Sequence, residues 1–187
     1  MTEELDEINL VIRLKEKNSL AWKELYAKYS GKLTGACRRY VKGNDDLRDV
    51  LQNSFVKMFT QIQSFENRGK GALNAWMMRI VINEALQLIR KKGLEFDNFV
   101  EWETINVAEA EDFITELTQE EMIEFIQNLP DGYRTVFNLY VFEEKSHREI
   151  ADLLEISEGT SASQLSRAKK ILASQIKEYQ QSKIDVS

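Results

Sequence analysis

The chain has 187 residues, enough for one medium domain or two small ones, and 43% of them are hydrophobic, as in a protein with a buried core. One proline and eight glycines leave little room for the turns of a sandwich or barrel, so the expectation is all-α. A single cysteine, Cys37, and a single histidine, His147, exclude an intramolecular disulfide and a Cys/His zinc cluster. No nucleophile with a histidine base, metal set or phosphate loop marks an enzyme, and no cofactor is expected.

The formal charge of −6 is unevenly spread. Residues 1–93 carry 17 Lys/Arg against 11 Asp/Glu, residues 94–125 none against 11, and residues 126–187 carry 8 against 9. A basic N-terminal half is compatible with nucleic acid even though the whole chain is acidic. The N-terminal MTEELDEINL is acidic where a signal peptide is basic and then apolar, and no apolar run approaches the ~18 residues of a membrane span. A cytoplasmic protein without direct membrane insertion is expected.

Ile8, Val11 and Ile12, and then Trp22, Leu25, Tyr26, Tyr29 and Leu33, recur at helical spacing and predict helices facing a core. Leu47, Val50, Leu51, Ser54, Phe55, Met58, Phe59 and Ile62 form a second long stripe, and Leu73, Trp76, Met77, Ile80, Val81, Ala85, Leu88 and Ile89 a third. Between them SFENRGKGALNAW is punctuated by Gly69 and Gly71 and reads as a loop. Arg90, Lys91 and Lys92 followed by Gly93 form a cationic last turn and a glycine stop. Cys37 fits a buried, small apolar position.

Residues 94–117 are acidic, lack a sustained period and read as a linker, giving an expected layout of 1–93, 94–117 and 118–187. Thr118 with Glu121 is a capping box that opens a helix through Leu129, and Pro130 closes or kinks it. A helix with Tyr133, Val136, Phe137, Tyr140 and Val141 follows. Ser146 with Glu149 is a second capping box, before Ile150, Ala151, Leu153 and Leu154, and Ser157 caps a last helix from about Glu158 to Tyr179.

A short capped helix, a tight turn with Ile156 and a second capped helix make the sequence form of a helix-turn-helix. Leu165, Ala168, Leu172, Ile176 and Tyr179 of the last helix would pack inward. Ser163, Gln164, Ser166, Arg167 and Lys170 would face outward, small enough in front to enter a major groove and able to pair with base edges. The same pattern also fits a capped amphipathic helix with a solvated face.

LPDGYRTVFNLYVFEEKSHREIADLLEISEGTSASQLSRAKKIL resembles region four of bacterial sigma-seventy factors. DDLRDVLQNSF followed by SFENRGKGALNAWMMRIVINEALQLIRKK resembles region two. Both blocks, in this order with little between them, resemble the extracytoplasmic-function subgroup. The resemblance implies two small helical domains, a region two bundle and a region four helix-turn-helix, joined by the acidic linker. It implies an initiation factor that joins core RNA polymerase, reads the −35 and −10 promoter elements and assists melting.

By the resemblance, Ser163, Ser166 and Arg167 contact −35 bases, Gln164 and Lys170 lie near the DNA backbone, and His147 and Arg148 touch phosphate; His147 also fits a plain surface position. Phe65, Arg68, Lys70, Arg79 and Asn83 would serve the −10 element, with a base stacked and its edge hydrogen-bonded; Phe65 fits a core position equally well. Asp46, Asp49, Gln52 and Asn53 would meet the clamp of the largest polymerase subunit, though a solvated face fits them too. Region four would dock on the flap of the other large subunit, and an anti-sigma factor is an implied partner. Glu144 and Glu155 stand where many relatives carry Gly, and Ala162 and Gln164 where many carry Lys or Arg. A stand-alone helix-turn-helix regulator and an all-α interaction adaptor without DNA binding are the competing readings.

Overall fold

The structure is a computed structural model that describes residues 2–93 and 117–185. The segment expected as a linker, 94–117, lies outside the described residues except for Leu117. Among the described residues the regular structure is α-helical, with one 3-10 turn and no strand. The chain divides into two compact units, Met1–Lys92 and Gly93–Ser187.

Unit 1 contains α1 (Thr2–Lys15), α2 (Ser19–Tyr40), α3 (Asn44–Gln61), a 3-10 turn (Ile62–Ser64) and α4 (Ala72–Lys91). Helix α4 is its most apolar element and packs on both α2 and α3. Leu73, Met77, Ile80, Val81, Ala85 and Ile89 enter the core at three- and four-residue spacing, against Leu25, Leu33, Val50, Met58 and others. The caps are local in origin. Asn18 Oδ1 accepts from the N–H groups of Leu20 and Ala21 at 2.9 and 3.2 Å, starting α2. Helix α4 ends at Lys92, and Gly93 follows at φ 73°, the left-handed stop that glycine adopts without a Cβ penalty.

Helix α1 departs from its expected phase. Leu10, Val11 and Leu14 are buried, whereas Ile8 and Ile12 are exposed. The true stripe also includes Glu7, a buried carboxylate, and a polar residue on the inward face obscures the apolar period. Cys37 is fully buried, and desolvation pushes its thiol up to about 12.

Unit 2 contains α5 (Gln119–Asn128), α6 (Asp131–Val141), α7 (His147–Leu154) and α8 (Glu158–Asp185). Both capping boxes form: Thr118 with Glu121, and Ser146 with Glu149. Pro130 sits at the N-cap of α6, so it separates two helices instead of kinking one. Arg134, 2% exposed, closes that corner from the inside, donating to the Leu129 carbonyl at 3.0 Å and pairing with Asp131 at 2.8 Å. Burial pulls its pKa below the usual guanidinium value and the Asp131 carboxylate acts in the other direction.

Helix α8 packs on α5, α6 and α7 and runs six residues beyond the expected Tyr179. No Gly or Pro breaks it there. Tyr179 and Lys183 also reach α5, each donating to a Glu121 oxygen, which ties the far end of α8 to the start of α5. Chiefly through the Tyr179 hydroxyl, this network lowers the Glu121 carboxyl to about 2.

Candidate nucleic-acid and polymerase interfaces

In unit 2 the helix-turn-helix is formed by α7, the turn Glu155–Ile156–Ser157, and α8. Glu155 caps α7 in the left-handed conformation, φ 58° and ψ 43°, a position that favours glycine. Ser157 then starts α8, its Oγ accepting from the Thr160 N–H at 2.9 Å.

The first turns of α8 sort cleanly. Ser161, Gln164, Leu165, Ala168 and Leu172 are buried. Gly159, Ala162, Ser163 and Ser166 are exposed, and half-exposed Arg167 and Lys170 continue that stripe. The outward face is thus slim at the front and cationic behind. Ser163 Oγ donates to the Thr160 carbonyl at 2.9 Å.

Gln164 does not belong to this face, contrary to the expectation from sequence. At 1% exposure it lies on the inward stripe, three residues after Ser161 and four before Ala168, where the helical period outweighs its polarity. His147 is not a plain surface residue either. Its ring stacks on Tyr140 with centroids 4.8 Å apart, and its Nδ1 lies 2.9 Å from Ser161 Oγ, linking the first turn of α7 to that of α8. Arg148 is exposed beside it. The capping bonds from Ser146 hold the Glu149 carboxyl below its ordinary range, so the box keeps its charge.

In unit 1 the loop between the 3-10 turn and α4 is shaped by Gly69 at φ 120° and Gly71 at φ 81°, and by an Asx turn in which Asn67 Oδ1 accepts from the Gly69 N–H at 2.9 Å. Arg68, Lys70, Arg79 and Asn83 are exposed. Phe65 is buried at 5%, and its ring packs on Trp76 with centroids 5.2 Å apart. The two rings line a surface pocket of about 520 Å³ together with Ser64, Glu66, Arg68, Ala72, Ala75 and Arg79. Phe65 therefore has a core position and also borders the site.

Trp76 was not singled out from sequence as a site residue. Its signal was legible: Trp76, Arg79 and Asn83 stand at i, i+3 and i+7, one face of α4. The arrangement suits a planar ring held against aromatics, with guanidinium groups at the rim for phosphate or a base edge.

On α3, Asp49, Gln52 and Asn53 are exposed and share a face. Asp46 is partly withdrawn from that face: its carboxylate pairs with Lys92, tying the start of α3 to the end of α4. Arg90, Lys91 and Lys92 at that end are exposed.

Comparison with known proteins matches residues 25–95 to the family model for Sigma-70 region 2 and residues 119–172 to that for Sigma-70, region 4. A relative from Haemophilus influenzae named ECF RNA polymerase sigma-E factor is 29% identical over 94% of this chain and 98% of its own. One of the same name from Escherichia coli (strain K12) is 26% identical over 94% of this chain and 97% of its own. A solved structure, described as CnrH in complex with the cytosolic domain of CnrY, aligns at a TM-score of 0.49 and 22% identity, covering 90% of this chain and 96% of that one.

Proposed function

The chain belongs to the sigma-70 family, in its extracytoplasmic-function subgroup, and is a promoter-specific transcription initiation factor; from that premise we propose how its surfaces divide the work. Residues 118–187 act as region four, laying α8 in the major groove of the −35 element. Ser163, Ser166 and Arg167 contact base edges, Lys170 and Arg148 contact phosphate, and Nε2 of His147 is the ring atom left for a phosphate. Residues 1–93 act as region two. An unstacked −10 base enters the Phe65/Trp76 pocket while Arg68, Lys70, Arg79 and Asn83 hold its backbone and edge, which helps the polymerase keep the duplex open.

Asp49, Gln52 and Asn53 meet the clamp of the largest subunit, with Asp46 contributing less because of its ion pair with Lys92. Region four docks on the flap of the other large subunit. The acidic segment 94–117 threads a channel otherwise used by nucleic acid, where like charge to RNA eases its displacement. The factor works in the cytoplasm, and an anti-sigma protein regulates it, as is common among similar factors.

The observation that carries this reading is the sorting of α8. A solvated amphipathic helix has no reason to keep Gly159, Ala162, Ser163 and Ser166 in one exposed row followed by Arg167 and Lys170, whereas a helix seated in a groove needs a narrow front and cations near the phosphates. The test is reconstitution with core polymerase lacking any sigma, followed by mapping of transcript starts on genomic DNA. Discrete starts preceded by shared −35 and −10 sequences are expected. Protection of an upstream site without polymerase would favour a stand-alone regulator, and no DNA-dependent signal would sink the reading.

A further inference from the structure

Helix α1 precedes residue 25, where the region 2 match begins. Its side chains hold the reading loop of unit 1 at both ends. Glu7, 7% exposed, turns its carboxylate onto the start of α4, where Oε2 accepts from the Gly71 N–H at 3.2 Å and Oε1 from the Leu73 N–H at 3.0 Å. About two turns later on α1, Lys15 Nζ donates to the Phe65 carbonyl at 2.8 Å, and the Lys15 carbonyl accepts from Gln63 Nε2 at 2.5 Å. Between these anchors Glu66, Asn67, Arg68 and Lys70 stand exposed.

We propose that α1 is a positioning element for −10 recognition, with Glu7 and Lys15 as positioning residues that set the loop and its pocket without touching DNA. The inference rests on the −10 reading given above. Its physics is specific to these groups. A carboxylate at a helix N-terminus satisfies otherwise orphaned N–H groups and matches the helix dipole. Because Glu7 occupies that position, α4 offers its first N–H groups to the protein and not to a phosphate. Lys15 binds a carbonyl at the residue whose ring lines the pocket, so a shift of α1 moves both walls of the site: Phe65 directly, and Trp76 through the start of α4. The glycines at Gly69 and Gly71 permit the loop's path but do not select it, since either φ sign is open to them. Within the loop the Asx turn at Asn67 sets the local bend, and its two ends are fixed from α1.

The experiment uses holoenzyme assembled from the full-length factor and core polymerase. Heparin-resistant complexes are measured on duplex promoters carrying each base change in the −10 element, and in parallel on a −35 series. Glu7→Ala is expected to lower −10 discrimination by about tenfold, the scale of one charge-assisted hydrogen bond, with −35 discrimination and core affinity unchanged. Glu7→Gln keeps one acceptor oxygen and should fall between. Lys15→Met, which keeps the aliphatic stem, tests the other anchor should Glu7→Ala fold poorly.

A uniform loss on every promoter, accompanied by weaker core binding, would make the two residues merely structural and overturn the proposal. Unchanged −10 discrimination in both Glu7→Ala and Lys15→Met would overturn it as well. If Arg68→Ala and Arg79→Ala leave −10 discrimination intact, the pocket reading itself fails and takes the inference with it. If those two lower it and the α1 variants do not, the reading stands and the inference alone falls.

Discussion

Units 1 and 2 build the surfaces proposed to read DNA by opposite means. Unit 2 presents a regular helix whose outward row is defined by its own period and by a cap three residues away, Ser157 on Thr160. Unit 1 presents an irregular loop whose two ends are hydrogen-bonded to Glu7 and Lys15, distant in sequence on α1. The backbone chemistry differs in the same sense. Unit 1 places glycines at the left-handed positions beside its loop, whereas unit 2 spends Glu144 and Glu155 at φ 51° and 58° on either side of α7. A surface read from a helix tolerates strain in its connecting turns because the packed helices carry the geometry; a surface read from a loop is the connection itself.

The strongest way to break this comparison is at the helix. Arg167→Ala should cut initiation at −35-dependent promoters by roughly ten- to a hundredfold, as expected for a side chain worth about 1–3 kcal/mol at a base edge. Gln164→Leu, on the buried row, should leave base preference unchanged. Both are read by in vitro transcription on a −35 substitution series, and a preference altered by Gln164→Leu would return that residue to the groove face.

Next comes the loop. Gly71→Ala meets no neighbour within 4 Å, so its cost is the backbone conformation alone. It should destabilise unit 1 by about 1–2 kcal/mol, measured by urea denaturation. The converse substitution in unit 2, Glu155→Gly, relieves the same conformation and should stabilise by up to about 1 kcal/mol, the net of αL relief and the extra entropy of glycine. A loss of stability on Glu155→Gly would mean that its side chain contributes more than its backbone costs.

The smallest effect is one of pH. Glu121 is held at about 2 against an ordinary 4.5, so its contribution is full above about pH 4.5 and is lost as pH falls toward 2. The midpoint for unit 2 should fall across that window, and Glu121→Gln should flatten the slope. An identical slope in the variant would remove Glu121 from the acid response.

The same contrast explains what could be read in the sequence. Much of what is set within four residues was legible, such as the capping boxes at Thr118 and Ser146 and the glycine stop after Lys92, although the Asn18 cap and the Asn67 turn, equally local, carry weaker signals. Errors arose where a polar side chain sits on a buried row. The polarity of Gln164 suggests an outward position, but Ser161, Leu165 and Ala168 set the phase that buries it. Glu7 went unnoticed for a related reason, since its partners lie more than sixty residues away and no local pattern marks them. Trp76 shares a helical face with Arg79 and Asn83, which the spacing shows, but the pocket it lines exists only where Phe65 is folded against it. His147 gained its meaning from Tyr140 and Ser161, seven and fourteen residues distant.

Cys37 bears on how this factor can be controlled. It is the chain's only thiol, on the buried side of α2, and burial favours its protonated, unreactive form. Disulfide switching within the chain is closed to it, since a disulfide needs a second thiol. Its thiol meets an oxidant only when the core of unit 1 opens, so a cysteine-based response in this chain is tied to unfolding and not to its folded surface.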